Sequence, residues 1–170
     1  MTTAKDSDAK VLILMGSDSD FEVMKSAVDI LNDFQVGCEV RVLSVHRAPD
    51  VAIEVAKGAR DSGYRVIICG AGLAAHLAGA VAAKTTLPVI GVPIRGGALH
   101  GVDSLYSTVQ MPPGVPVATV AIDGAKNAGI LALQILGTSD ERISKGLVAL
   151  KKKLQEQVLE KDRKLQSRLS

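Results

Sequence analysis

The stretch Val11-Leu-Ile-Leu-Met-Gly-Ser-Asp-Ser-Asp20, running on into Phe21-Glu-Val-Met-Lys-Ser-Ala-Val-Asp-Ile-Leu31, decides the fold class. Its opening run is continuously apolar and too short for a helix, as in a strand covered on both faces. Gly16 to Asp20 are turn and cap residues, with Ser19 or Asp20 placed to cap a helix. Beyond them Phe21, Met24, Ala27, Val28 and Leu31 recur on one helical face. Strand, short turn and helix in that order make the repeating unit of a parallel sheet, because parallel neighbours need a long crossover and a helix usually supplies it.

The unit recurs along the chain. Strands are expected at about 11–15, 38–44, 65–69, 89–92 and 117–121, and helices from Phe21, over about 49–61, 74–84, 102–109 and 125–136. Pro49 suits the first turn of its helix and Gly63 a stop. Residues 74–84 are nearly all small and apolar, which predicts a buried helix packed on another helix or a subunit. The expected fold is α/β: a three-layer αβα sandwich, flavodoxin-like, with a parallel five-stranded sheet. One domain covers 1–170, with a core at about 10–137. A long C-terminal helix follows at about 140–166, where Ile143, Leu147, Leu150, Leu154 and Val158 step by three and four among Lys and Arg. That stripe reads as packing surface for its own or a neighbouring subunit, with a basic membrane-facing or nucleic-acid-facing helix as the alternative.

Composition narrows the function classes. A chain of 170 residues with 47% hydrophobic and 22% charged residues is ordinary for a globular domain. Aromatics are 2% and Trp is absent, so the stacking platforms of single-strand nucleic-acid binding are missing. A formal net charge of +2 does not supply the concentrated basic surface that a polyanion needs. Cys38 and Cys69 form no Cys-x-x-Cys pair and have no His at ligand spacing, so they read as free thiols in a reducing compartment. The polar N-terminus and the shortness of the run at 11–15 give no leader or membrane span, and a cytoplasmic location is expected.

In doubly wound sheets ligands lie beyond the carboxyl ends of the strands, so the segments after each strand carry the functional reading. Gly16-Ser-Asp-Ser-Asp20 is either a plain Ser/Asp cap or an anion cradle in which Asp20 accepts from ribose hydroxyls. Asp18 and Asp20 lack the further ligands of a metal site. Ser44-Val-His-Arg-Ala-Pro-Asp50 is the most chemically loaded segment. Arg47 offers a forked cation for phosphate, Ser44 a further donor, and His46 a group that exchanges protons near neutrality. Gly70-Ala-Gly-Leu-Ala-Ala-His76 superficially matches a dinucleotide fingerprint. It is outside the first strand–helix unit, however, and has no acidic residue at the required distance; a turn of small residues serves equally. His76 reads as either a structural or a functional histidine. Arg95-Gly-Gly-Ala-Leu-His-Gly101 reads as a flexible loop, lid or subunit contact, with His100 exposed. No phosphate-binding loop of the Gly-x-x-x-x-Gly-Lys type occurs.

Taken as an ordered set, these segments resemble the successive motifs of the class I N5-carboxyaminoimidazole ribonucleotide mutases of purine synthesis. To them are added Gly91-Val-Pro93, Gly101-Val-Asp-Ser-Leu-Tyr-Ser107, Val109-Gln-Met-Pro112 and Gly114-Val-Pro-Val-Ala118. The resemblance spans about 11–136. It implies a small-molecule ribonucleotide substrate, transient carbon dioxide, no cofactor and no metal, and a homo-octamer in which the third and C-terminal helices meet neighbours. It implies that Ser17 and Asp20 bind the nucleotide, that Ser19, Ser44 and Arg47 hold its phosphate end, and that Ala71, Gly72, His76 and Leu77 wall the carbon dioxide pocket. His46 is then the catalytic residue, protonating ring carbon C4 so that the N-carboxylate leaves, and later removing the extra proton once C4 has captured the gas. Arg47 after the histidine fits class I, where a direct carboxylase usually carries Lys. The chain departs from the family's usual pattern with Leu73 for Gly and Ala78 for Pro. A direct aminoimidazole ribonucleotide carboxylase and a non-catalytic flavodoxin-like nucleotide module are the competing readings.

Overall fold

A computed structural model describes residues 9–169. Strands β1 (Ala9–Met15), β2 (Gly37–Val42), β3 (Val66–Gly72), β4 (Val89–Ile94) and β5 (Ala118–Thr119) form one sheet in the order β2-β1-β3-β4-β5, every pairing being parallel. The strand order is that of the flavodoxin-like fold, and it reverses between β1 and β3. Helices α1 (Phe21–Asp33), α2 (Pro49–Gly58), α3 (Leu77–Ala82), α4 (Val102–Val109) and α5 (Ala125–Gly137) follow the strands in turn, and α6 (Glu141–Leu169) comes after α5.

Alternation along each strand divides the core between the two faces. Leu12 and Leu14 of β1 and Ile67 and Cys69 of β3 share a buried cluster with Ala52 and Ala56 of α2 and Leu77, Ala78 and Val81 of α3. On α1, Met24, Ala27, Ile30 and Leu31 are buried, and an added Cβ on Gly129 of α5 would stand 3.1 Å from the Ala27 carbonyl oxygen. With aromatics so scarce, small side chains set these spacings.

Several bounds differ from the sequence reading. The glycine-rich segment expected to follow the third strand belongs to it: Gly70, Ala71 and Gly72 pair with Val92, Pro93 and Ile94. Small residues are required there, since a Cβ on Gly70 would stand 2.5 Å from Met24 Sδ and 3.1 Å from Ile94 Cδ1. In compensation α3 begins only at Leu77, because tight turns with Ala75 N–H donating to Leu73 O and His76 N–H to Ala74 O occupy 73–76. The fifth strand shrinks to two residues, pairing with Ile90 and Gly91. Pro49 opens α2 as expected, although the helix ends at Gly58 and not at about 61, and α4 has the expected bounds.

The chain divides into two compact units, one running to Ala132 and the other from Leu133. In the second, Asp140 caps α6, its carboxylate accepting from Ile143 N–H at 3.2 Å. Ile143 is buried, whereas Val148, Leu154, Val158, Leu159 and Leu165 are exposed. Among the described residues no helix is long and apolar enough to cross a membrane.

Candidate active site

At the carboxyl ends of β1 to β4, around the point where strand order reverses, lies a cavity of about 620 Å³. Each strand contributes a loop. After β1, Gly16 N–H donates to the Gly70 carbonyl at 3.2 Å, which ties the start of the turn to β3. Ser17 then caps a single 3-10 turn, Asp18–Asp20, in a reciprocal box: the Ser17 hydroxyl accepts from Ser19 N–H, and the Asp20 carboxylate accepts from Ser17 N–H at 3.1 Å. Asp20 stands at the cap position of α1 but makes no cap bond to it, because its carboxylate is turned back to Ser17. The Ser19 hydroxyl donates to Ser17 Oγ at 2.9 Å and the Ser17 hydroxyl to Asp18 at 3.2 Å, a short donor chain on the cavity rim. Burial pushes the Asp20 carboxyl above its ordinary range; the N–H groups of Ser17 and Gly16 pull it down, and Asp18 adds to the rise.

After β2, Leu43 is buried and its N–H donates to Met15 O at 2.8 Å, while a turn with Ala48 N–H on Ser44 O leads into Pro49. Ser44, Val45, His46 and Arg47 are thereby displayed on the loop between. Arg47 Nη2 donates to the Gly16 carbonyl at 3.1 Å. A guanidinium carries five N–H donors, so this anchor orients the fork and leaves capacity for an anion. His46 Nε2 and His76 Nδ1 stand 2.9 Å apart, the rings edge to face at 84°. Such a contact needs one proton between the two nitrogens, one ring donating and the other accepting, so the bonded pair carries at most one positive charge. His76 precedes α3 without a side-chain cap bond, which leaves its ring to this contact.

All of the residues singled out from sequence line this cavity: Ser17, Ser19, Asp20, Ser44, His46, Arg47, Ala71, Gly72, His76 and Leu77. Leu73, the neighbour of Gly72 in that turn, lines it as well, and so do Ile94, Arg95, Gly96 and Gly97, which no motif marks as part of a binding wall. Arg95 is held by Asp123, which accepts from its backbone N–H at 2.8 Å and its Nε at 3.2 Å. His100 is exposed and outside the lining. Among the described residues no group of three or more His, Cys, Asp or Glu comes together as a cation site.

Size alone does not choose this cavity, for one of about 610 Å³ lies beside Leu12, Glu39, Arg41, Asp50 and Tyr64. There the Tyr64 hydroxyl donates to Glu39, and Arg41 lies 3.8 Å from the same carboxylate. That cavity has no imidazole and no strand-end loop with open donors. The first combines a proton-carrying pair, an anion-binding fork and hydroxyl donors against an apolar wall of Ala71, Leu77 and Ile94, which suits proton transfer on a phosphorylated substrate.

The chain is similar to known proteins over most of its length. The chain is 54% identical over 157 residues to the N5-carboxyaminoimidazole ribonucleotide mutase of Thermotoga maritima, covering 92% of each chain. It is 55% identical over 150 residues to that of Bacillus subtilis, covering 87% of this chain and 93% of the relative. The solved structure of Treponema denticola PurE superposes with a TM-score of 0.82 at 28% identity, over 91% of this chain and 97% of that one. The family model described as AIR carboxylase matches residues 10–157, and the chain belongs to that family.

Proposed function

We propose that this protein is an enzyme of purine biosynthesis that converts N5-carboxyaminoimidazole ribonucleotide to 4-carboxy-5-aminoimidazole ribonucleotide. The observation that carries the reading is the His46–His76 contact at 2.9 Å on the loop that also presents Arg47: a proton carrier and a phosphate fork on one segment, facing one cavity.

The chemistry follows from one imidazole. Protonated His46 gives its proton to ring carbon C4. The bond from the exocyclic nitrogen to the carboxylate then breaks with its electron pair left on nitrogen, and carbon dioxide departs. Transfer of one C4 hydrogen to that nitrogen restores the enamine. Its C4 attacks the carbon dioxide, and neutral His46 takes the remaining C4 hydrogen. A proton and a carboxylate have exchanged places, and His46 ends as it began. Positioned proton transfer of this kind contributes roughly 10²–10⁴-fold. His76 supports the reading by fixing the His46 ring, and Ser17, Ser19, Asp20, Ser44 and Arg47 by supplying the polar side of the cavity for the ribose phosphate. Ala71, Gly72 and Leu77 supply the apolar side for the gas.

A cytoplasmic location and a homo-octamer belong to the same reading. The exposed apolar residues of α4, Val102, Tyr106 and Val109, are compatible with assembly.

The test is turnover of N5-carboxyaminoimidazole ribonucleotide by the purified protein in EDTA, without ATP, and with and without added bicarbonate. Isomerisation independent of bicarbonate is expected. A requirement for bicarbonate together with the uncarboxylated ribonucleotide would instead mark a direct carboxylase. His46→Asn should abolish turnover while leaving ligand binding.

A further inference from the structure

One cavity-lining residue holds a backbone conformation that its side chain disfavours. Leu73, in the turn after β3, has φ +54°, the left-handed region where a Cβ crowds the neighbouring carbonyl. Among the described residues of the cavity wall, the other positive value belongs to Gly97, at +56°. The two positions are fitted to each other. A Cβ on Gly97 would stand 2.8 Å from Leu73 Cδ2, and one on Gly96 would stand 3.7 Å from it. The isobutyl group therefore reaches from the β3 turn to the loop after β4, into space those glycines leave open. Leu73 is nonetheless 55% exposed, which places it at the cavity mouth with one flank towards solvent. It shares the cavity with both imidazoles.

Backbone outliers persist where the surroundings hold them and where they serve the site. We propose that Leu73 is a specificity-determining residue for the carboxylate transfer: its side chain closes the mouth against Gly96 and Gly97 and holds released carbon dioxide beside C4 until that carbon captures it. The inference rests on the mutase reading and adds to it the partition between capture and escape. Carbon dioxide has no charge and no net dipole, so neither Arg47 nor the serine hydroxyls can grip it, and only walls that exclude water keep its effective concentration high. The chemistry is otherwise as described: the gas leaves with the nitrogen keeping the bonding pair and returns on the enamine's pair, with no change in oxidation state. Escape leaves the uncarboxylated aminoimidazole ribonucleotide behind.

The test uses substrate with an isotopically labelled N-carboxylate, in unlabelled bicarbonate with carbonic anhydrase to equilibrate any gas that escapes. Label retained in the C4-carboxylated product measures capture. The unmutated protein should retain most of its label. Leu73→Ala should raise label loss, and release of uncarboxylated ribonucleotide, severalfold. Gly97→Ala, which displaces the Leu73 side chain, should do the same, and the double variant should be no worse than Leu73→Ala, because both changes act through one contact. Leu73→Gly relieves the backbone conformation as well, so it should melt at a higher temperature than Leu73→Ala while leaking label equally. That variant keeps the test open if the alanine form folds poorly. Label retention equal to the unmutated protein in the Leu73 variants overturns the proposal and leaves the mutase reading standing. Absence of any product from the unmutated protein overturns the mutase reading, and this inference with it.

Discussion

Replacing Arg47 by Ala removes the fork that the site reading assigns to phosphate, and the structure allows its size to be worked out. One terminal nitrogen is engaged by the Gly16 carbonyl at 3.1 Å, and the side chain is exposed at the cavity. The fold therefore loses little, about 0.5 kcal/mol, as for other surface substitutions. The ligand loses charge-assisted hydrogen bonds worth about 1.5–3 kcal/mol, which corresponds to a rise in Kd of roughly 10- to 150-fold. Calorimetric titration with the C4-carboxylated ribonucleotide reads that change, and a thermal melt of the same variant separates it from unfolding. The difference between the two proteins should shrink as salt is raised, and Arg47→Lys should recover the charge but not the two-pronged geometry. Unchanged affinity in a folded Arg47→Ala protein would move the phosphate elsewhere in the cavity.

Asp20→Asn tests the cost of keeping a carboxyl partly buried at the site. Because burial raises its folded value above the ordinary one, the unfolded chain gives up that proton first as pH rises. Stability is lost through the interval between the two values and stays lost above it. The amide still accepts from Ser17 N–H, so Asp20→Asn should melt higher than the unmutated protein near neutrality and show a smaller fall through the carboxylate range, while binding ribonucleotide more weakly. Gly70→Ala would set a Cβ 3.0 Å from Met24 Cγ and 3.1 Å from Ile94 Cδ1. It should cost about 1–3 kcal/mol by overpacking in denaturant unfolding; a neutral result would contradict the packing described around β3. Burial pushes both thiols up, Cys69 well above the usual thiol range and Cys38 in the same direction. Cys69 should therefore resist thiol reagents until the protein is unfolded, and labelling of the native protein at Cys69 would contradict its place in the core.

The parallel sheet was legible because β1, β3 and β4 are apolar runs and a crossover helix such as α2 begins at a recognisable signal, Pro49; β2, where Glu39 and Arg41 alternate with Cys38, Val40 and Val42, is the exception. The polar half of the cavity was legible too, since Ser17, Asp20, His46 and Arg47 carry chemistry that stands out on a strand-end loop. Harder to see was what small residues do. Gly70-Ala-Gly72 reads as a turn in isolation, and only the neighbouring Met24 and Ile94 show that glycine is there to let a strand pass. Arg95-Gly96-Gly97 has no motif that marks a binding wall; it becomes one because β4 lies beside β3 and brings it opposite Leu73. The 2.9 Å contact between His46 and His76 joins residues thirty positions apart, which only the tertiary fold can bring together. Leu73 was visible as a residue, but its positive φ and its fit to Gly97 were not, because local spacing encodes neither.

A crystal structure of the protein with the C4-carboxylated ribonucleotide bound is the most direct measurement. A His46 ring nitrogen is expected about 3–3.5 Å from ring carbon C4, the separation of a near-attack geometry, with the phosphate on Arg47 and the serines. A His46 ring turned to bulk solvent, or a nucleotide seated at another edge of the sheet, would contradict it.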